Sequence, residues 1–309
     1  MYNSRRRKAR EIVLGKALHL REKEPDAPAR KNPNEKTIKT CVTKFKPVME
    51  RYLECLRESF PMEELERLLK EHKKRALSNE RAEVTEKDTD GDLDALVQLW
   101  LDKAEEAMGG DILDVLQDTA MAALMSTIDG WRQKLGIEEI IPESILGKLG
   151  RWATNMARRA MTAMQQFIKD KFLKNIKDCV ADGKSVEEAV SETKEYLDEM
   201  DAEHAKVMAE NNIRMVFYES ELDMNAALGA KTKRWFTIPL LFAFLSLPCF
   251  MCMLNAGASR IPISQAFPSG AYSPPAHFRC RCHLEYSGVT QESYGEWIVN
   301  SLLGVDVLH

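Results

Sequence analysis

Apolar residues recur at three- and four-residue steps from about residue 36 to residue 230, and this helical period constrains the fold most strongly. Phe45, Met49, Tyr52 and Leu56 show the pattern early in the stretch. No part of it alternates apolar and polar residues as a half-buried strand does. Gly (15) and Pro (12) are below average usage, which disfavours a turn-rich β architecture. We therefore predict a mainly α fold, with an elongated multi-helix N-terminal body at residues 36–230.

Start and stop signals divide this body into individual helices. Gly109-Gly110 predicts the end of a helix that begins near Leu93, and a further helix follows it. Ser185 and Glu188 have the spacing of a capping box and predict a helix start after the DGKS turn. The remaining long periodic segments predict helices at about 144–180, 186–198 and 202–229.

An acidic stretch before the first of these helices resembles part of a calcium loop. Its candidate ligand positions are Glu86, Asp88, Asp90 and Asp94, but Val97 stands where a bidentate Glu is needed. The alternative is a loop whose Asp residues cap the next helix and place negative charge near its start.

The N-terminal residues 1–35 are predicted to form a basic, flexible arm. Residues 1–50 carry 14 Lys/Arg and 6 Asp/Glu, a net charge of +8, although the whole chain carries −4. The cluster of Arg5, Arg6, Arg7, Lys8 and Arg10 can release counterions from a polyanion such as DNA. The alternative is a solvated tail without a partner. No apolar run of 7–15 residues follows these cations, so no secretory signal is predicted.

The character of the sequence changes at Lys231, where a small α+β module is predicted to span residues 231–290. No charged residue occurs from Trp235 to Ser259, a stretch long enough to cross a bilayer. The alternative is a pair of buried strands or turns interrupted by Pro239 and Pro248. Residues 291–309 are predicted to form a C-terminal tail with a short helix.

Cysteine and histidine residues cluster in the same module and suggest a metal site. Cys249-x-x-Cys252 places two thiolates on one tight turn, and His277-x-x-Cys280 supplies a second pair after 24 intervening residues. Zn²⁺ prefers four such ligands in tetrahedral geometry, and the crosslink stabilises a segment with few other fold determinants. We predict a structural zinc site formed by Cys249, Cys252, His277 and Cys280. Two further residues can substitute as ligands: Cys282 and His283.

Other interpretations of the cluster remain open from the residues alone. The thiols can be free, since the second pair departs from the usual C-x-x-C. A redox motif is disfavoured because no βαβ pattern surrounds it. A catalytic zinc would require an open coordination position and a nearby general base, for which Glu285 is the candidate. A Cys/His nucleophilic pair lacks an evident third residue to orient the histidine.

The segment from about Asp182 to Gly288 carries motifs that resemble the phage head morphogenesis family, the Mu F-like minor head proteins. SPPAHFRCRCHL (273–284) is the most specific, because PPxHxxCRC is the family's C-terminal signature. Two departures stand out: Phe217-Tyr218 replaces an expected Arg-Thr, and the chain before Cys249 lacks a usual Asp. The other motifs are DGKSVEEA (182–189), Glu219, Asn225 and Gly229 in segment 210–230, KRW (233–235) and CFMC (249–252).

The resemblance implies a minor capsid protein of the virion, present inside the capsid near the portal and in the host cytoplasm during assembly. It implies the portal protein and a major capsid or scaffolding protein as partners, with assistance to DNA packaging or ejection, and no enzymatic activity. One rival is a membrane-anchored protein that uses residues 235–254, although a membrane partner is not expected. Another is a transferase or zinc hydrolase built on the module, with four polar candidates: Glu219, Glu221, His277 and Glu285.

Overall fold

A computed structural model describes residues 32–78, 87–237, 249–277 and 279–305. The basic arm residues Arg5 to Arg10 lie outside the described residues, as does most of the apolar stretch 235–254. In the described part of the chain the fold is mainly α. Its elements, in order, are α1 (Glu35–Ser59), α2 (Met62–Ser78), α3 (Lys87–Leu135), α4 (Glu143–Ala181), α5 (Val186–Asp198), α6 (Ala202–Ala227), β1 (Thr232–Phe236), α7 (Phe250–Gly257), β2 (Arg260–Pro262), β3 (His283–Ser287) and α8 (Gln291–Leu302).

The predicted capping box at α5 is confirmed. Ser185 Oγ accepts a hydrogen bond from the Glu188 amide at 3.1 Å, and Glu188 Oε2 accepts one from the Ser185 amide at 2.8 Å. Gly183 in the preceding turn has φ +71°, a conformation that favours glycine. The connection between α4 and α5 is predictable from sequence, because the Gly183 turn and the Ser185 cap depend only on residues that are neighbours in the chain.

The predicted break at Gly109-Gly110 is wrong, because α3 runs through both glycines for 49 residues. Glycine inside a helix costs about 1 kcal/mol, and packing on both sides of the pair offsets that cost. Leu101 and Ala104 are buried before it, and Ile112 and Leu116 are buried after it. A Cβ placed on Gly109 would lie 3.9 Å from Met161 Sδ of α4, so the neighbouring helix packs directly on the glycine backbone.

The helical start of α3 also bears on the calcium hypothesis. Residues 88–94 are helical and do not form a calcium loop, while Glu86 lies outside the described residues. Asp94 instead accepts a hydrogen bond from Lys169 Nζ of α4 at 2.8 Å. The calcium interpretation of this stretch is therefore wrong for the described positions.

The chain divides into two compact units. The first, which we call the sheet unit, comprises residues 1–39, 121–150 and 217–309; the second, the helical unit, comprises residues 40–120 and 151–216. Aromatic side chains form the centre of the helical unit. Trp100 lies edge-on to Phe60 with ring centroids 4.9 Å apart, and the Phe172 ring is tilted against both with centroids 4.7–4.8 Å away. The Trp100 indole N–H donates to the Leu56 carbonyl at 2.8 Å, which satisfies its buried polar atom.

The sheet unit contains a three-stranded antiparallel sheet in the order β2-β1-β3. Alternation along β1 buries Lys233 and Trp235 on one face. Across β3, Tyr286 pairs with Lys233 and Leu284 pairs with Trp235, and both partners are buried. This buried face belongs to the predicted α+β module.

The membrane-anchor hypothesis concerns residues that are mostly outside the description. Within the described ranges, no helix combines the length and apolar character that a bilayer crossing requires. The ends of the 235–254 segment are described: Trp235 lies in strand β1, and Phe250 begins helix α7.

Candidate metal centre

Helix α7 positions the first two thiols. Cys249 is its N-cap residue, and the Cys249 Sγ accepts a hydrogen bond from the Cys252 amide at 3.4 Å. A cysteine therefore takes the capping role that Ser or Asp usually fills, and the C-x-x-C spacing brings both sulfurs to the start of one helix. Cys252 is buried and Cys249 is half-buried.

The chain that leads into β3 supplies the other candidate ligands. His277 is half-buried, and its carbonyl accepts a hydrogen bond from the Cys280 amide at 3.2 Å. Arg279 between them has φ +61°, so the chain reverses tightly enough to return Cys280 toward the histidine. Cys280 and Cys282 are both buried immediately before β3.

These residues form two groups that share Cys252. The ligand atoms of Cys249, Cys252 and His277 lie within 4.8 Å of one another, as do those of Cys252, Cys280 and Cys282. Cys252 Sγ is 3.0 Å from His277 Nε2 and 3.6 Å from Cys280 Sγ. The four predicted ligands therefore do not fall in one group: Cys249 and His277 lie in one group with Cys252, and Cys280 lies in the other with Cys252 and the substitute Cys282.

The distances fit a small tetrahedral ion. Zinc bonds of about 2.3 Å to sulfur and about 2.0 Å to nitrogen place two sulfurs about 3.8 Å apart and a sulfur and a nitrogen about 3.5 Å apart. The Cys252–Cys280 separation matches this value, and the Cys252–His277 separation is shorter by about 0.5 Å. The Cys/His groups can thus hold a metal ion, and their soft donors suit zinc better than calcium or magnesium.

The thiols influence one another electrostatically. Hydrogen bonds from Cys252 and Cys282 lower the pKa of the Cys280 thiol, and the hydrogen bond to Cys280 raises the pKa of Cys252. A buried group of thiols without a cation can therefore stabilise one thiolate by keeping its neighbours protonated. A bound cation would allow all the coordinating thiols to be thiolates at once, because metal coordination deprotonates thiols.

Two buried polar side chains anchor the loop that carries His277: Lys233, known from sequence only as part of the KRW motif, and Asn255, which no sequence pattern indicated. Lys233 Nζ donates to the Tyr272 carbonyl at 2.9 Å and lies 5.4 Å from the Phe267 ring centroid. Asn255 Oδ1 accepts a hydrogen bond from the Ser269 amide at 3.0 Å. Burial lowers the pKa of Lys233 to about 8. The signal that could have found Lys233 is its alternation with Trp235 on the buried face of β1.

The second proposed substitute ligand, His283, is not in either group. It pairs with Phe236 across β1 and β3, and the two rings stack with centroids 5.4 Å apart. Burial lowers the pKa of His283, which favours the neutral imidazole. Neither three-residue group contains Glu219, Glu221 or Glu285. Glu285 instead forms a 3.3 Å ion pair with Arg260.

Residues of the helical motif in segment 210–230 contact neighbouring elements of the sheet unit. Asn225 Nδ2 donates to the Glu221 carbonyl at 2.7 Å, and Asn225 Oδ1 accepts from the Trp131 indole at 2.7 Å. Gly229 has φ +86°, and a Cβ there would lie 2.7 Å from Ser293 Cβ. Any side chain at this position would displace the start of α8, which gives the glycine a steric role.

Comparison of the chain with protein-family models, with curated proteins and with solved structures gave no match.

Proposed function

We propose that this protein is a non-enzymatic minor head protein of a bacteriophage, located inside the capsid near the portal. The observation that carries the proposal is the convergence of the most specific motif residues on one sulfur. Cys252 of CFMC shares one group with Cys249 and His277 and another with Cys280 and Cys282 of the C-terminal motif. These are the residues on which the resemblance to the Mu F-like minor head proteins depends most strongly.

In this proposal the chain acts through contacts with the portal protein and with a major capsid or scaffolding protein. Such contacts assist head morphogenesis and DNA packaging or ejection. The basic arm adds an electrostatic contact with genomic DNA through Arg5, Arg6, Arg7, Lys8 and Arg10.

The test of the head-protein proposal is the composition of purified particles. Phage encoding the chain would be purified through a density gradient, and the chain would be quantified against the major capsid protein by mass spectrometry. The proposal predicts a few copies per particle that resist external protease until the heads are opened. Absence from intact particles, with the chain found only in the host lysate, would contradict it.

The DNA contact of the arm has a separate test. Binding to duplex DNA would be measured at several salt concentrations for the full chain and for a chain lacking residues 1–31. Each phosphate contact that is lost should reduce the slope of log affinity against log salt by about 0.9. An unchanged slope would show that the arm does not contact DNA.

We further propose that the metal is zinc and that its role is structural. The ligand set is Cys249, Cys252, His277 and Cys280, with Cys282 available as a substitute. Soft sulfur donors, the 3.6 Å Cys252–Cys280 separation and the burial of both these thiols support a closed tetrahedral site.

Elemental analysis of protein purified under reducing conditions tests this assignment. We expect about one zinc ion per chain, and a loss of zinc affinity in Cys249→Ser. Cys41→Ser is the matched control, because Cys41 is a buried free cysteine of α1 and should leave zinc content unchanged. The zinc assignment would be wrong if the purified protein contained no zinc and were as stably folded as protein supplied with zinc.

A further inference from the structure

The buried carboxyl group of Glu221 lies beside residues 32–34, at the start of the first described range. Glu221 on α6 is the only acidic residue among the described ones whose side chain is buried. Its Oε1 accepts a hydrogen bond from Asn34 Nδ2 at 2.8 Å. Its Oε2 is also buried, and no described residue offers it a hydrogen bond.

The residues just before α1 are held to this site by their amide side chains. Asn32 Nδ2 donates to the Tyr218 hydroxyl at 2.7 Å, and Asn34 Oδ1 accepts from Ser126 Oγ at 3.1 Å. Asn32 Oδ1 also accepts from the Asn34 backbone amide at 3.0 Å. We call residues 32–34 the α1 root. With the bond to Glu221, side-chain hydrogen bonds tie the root to α6 and α3 within the sheet unit.

The surroundings of Glu221 favour the neutral acid. Burial raises the pKa of Glu221 to about 8, against smaller opposing effects of the Asn34 hydrogen bond and the Lys134 charge. An ionised carboxylate with one buried oxygen is costly when, as here, no described residue replaces the water that the oxygen has lost. Burial raises the pKa of Tyr286, and the Glu221 charge raises it further. The charged and titratable groups around the site are Lys134 of α3, Tyr286 of β3 with its cross-strand neighbour Lys233, Glu35 of α1, and Tyr218 and Asp223 of α6.

We propose that Glu221 and the α1 root form a proton-dependent latch. The latch is closed while the Glu221 carboxyl is protonated, and it opens to water when the carboxyl ionises. The physical cause is the unbonded Oε2, which the closed site cannot hydrate but the open site can. The latch goes beyond the proposed head function and does not depend on it, because it involves none of the metal ligands.

The direction of the pH effect follows from proton linkage. The closed form keeps its proton up to about pH 8, whereas a hydrated Glu ionises near its usual pKa of 4.5. The open form therefore gains population as pH rises from about 4.5 to about 8, by up to about tenfold per pH unit. Above about pH 8 both forms are ionised, so the opening equilibrium becomes constant.

Amide hydrogen exchange of the full chain tests the latch. The reporters are the Glu35 amide, which bonds the Asn32 carbonyl at 3.2 Å, and the Ile38 amide, which bonds the Asn34 carbonyl at 2.9 Å. Their protection factors, corrected for intrinsic exchange, should fall by up to about 100-fold between pH 5.5 and pH 7.5. The Lys231 amide, which bonds the Ser287 carbonyl at 2.8 Å within the same unit, should show no such fall.

Two variants complete the test. Glu221→Gln keeps the shape and cannot ionise, so its root protection factors should be independent of pH. Asn34→Ala keeps the carboxyl but removes its hydrogen bond, so root protection should fall at every pH while the pH slope remains. Equal pH profiles for Glu221→Gln and the unmodified chain would overturn the latch. A parallel fall at Lys231 would also overturn it, because the effect would then be global unfolding.

Discussion

The two compact units bury different kinds of side chain. The helical unit is centred on Phe60, Trp100 and Phe172, and many of its ion pairs lie on exposed helix surfaces. Most buried polar side chains of the described residues belong to the sheet unit, among them Glu221 and Lys233. Both units bury large apolar side chains, but the sheet unit adds most of the buried polar groups and the clustered thiols to its core. The two units should therefore respond to different perturbations.

The largest expected effect is loss of Cys252, the candidate ligand that both groups share. Cys252→Ser should destabilise the sheet unit by more than about 5 kcal/mol, because structural zinc contributes about 10 kcal/mol or more in small zinc-binding peptides. Cys55→Ser is the control, since Cys55 is a half-buried cysteine of the helical unit. Urea unfolding with added zinc measures both variants. Equal free energies of unfolding for Cys252→Ser and Cys55→Ser would show that the clustered thiols do not stabilise the sheet unit.

A comparable perturbation of the helical unit should leave the metal untouched. Phe172→Ala removes a fully buried ring that contacts Phe60 and Trp100 and should cost about 3–5 kcal/mol. Zinc content should remain that of the unmodified chain. Calorimetry and elemental analysis on the same sample check the two statements together. Loss of zinc in this variant would break the distinction between the units.

A smaller effect is expected from the buried lysine of the sheet unit. The folded pKa of Lys233, about 8, lies below its ordinary value of 10.5. The unfolded chain therefore binds more protons between these values, so stability due to Lys233 rises with pH from about 8 to 10.5. Lys233→Met should remove that rise. Unfolding free energies at pH 7.5 and pH 9.5 test it, and an identical rise in both proteins would refute it.

The smallest effect belongs to an exposed ion pair of the helical unit. Arg67 pairs with Glu64 and, at 2.8 Å, with Glu71 on the surface of α2. Arg67→Ala should change the free energy of unfolding less than any variant above, since water screens exposed pairs and both long side chains lose entropy. A shift in the urea midpoint at low and high salt measures it. A loss of stability as large as that of Phe172→Ala would mean that surface charge matters as much here as buried apolar area.

Sequence patterns predicted the helices well where the deciding chemistry is local. The segment expected at about 144–180 forms α4 at Glu143–Ala181, and the 186–198 helix has its predicted bounds. The predicted break at Gly109-Gly110 is wrong because burial of the apolar stripe outweighs the low helix propensity of the two glycines. That stripe continues from Leu101 and Ala104 to Ile112 and Leu116, and it was visible in the sequence.

The site was predictable only in part. The spacing of Cys249, Cys252, His277 and Cys280 indicated a Cys/His cluster that can hold a metal ion, because metal donors are recognisable residue types. Sequence did not show that Cys252 would be shared by both groups, since this depends on how α7 meets the loop before β3. The exclusion of His283 from both groups likewise depends on its stacking against Phe236.

Hydrogen exchange before and after zinc removal tests the central claim most directly. The full chain would be loaded with zinc, treated with a chelator under reducing conditions, and compared peptide by peptide. We expect faster exchange in α7, in residues 271–282 and in β1 and β3 of the sheet unit, and unchanged exchange around Trp100 and Phe172 of the helical unit. Identical exchange throughout the chain, with or without zinc, would contradict the account.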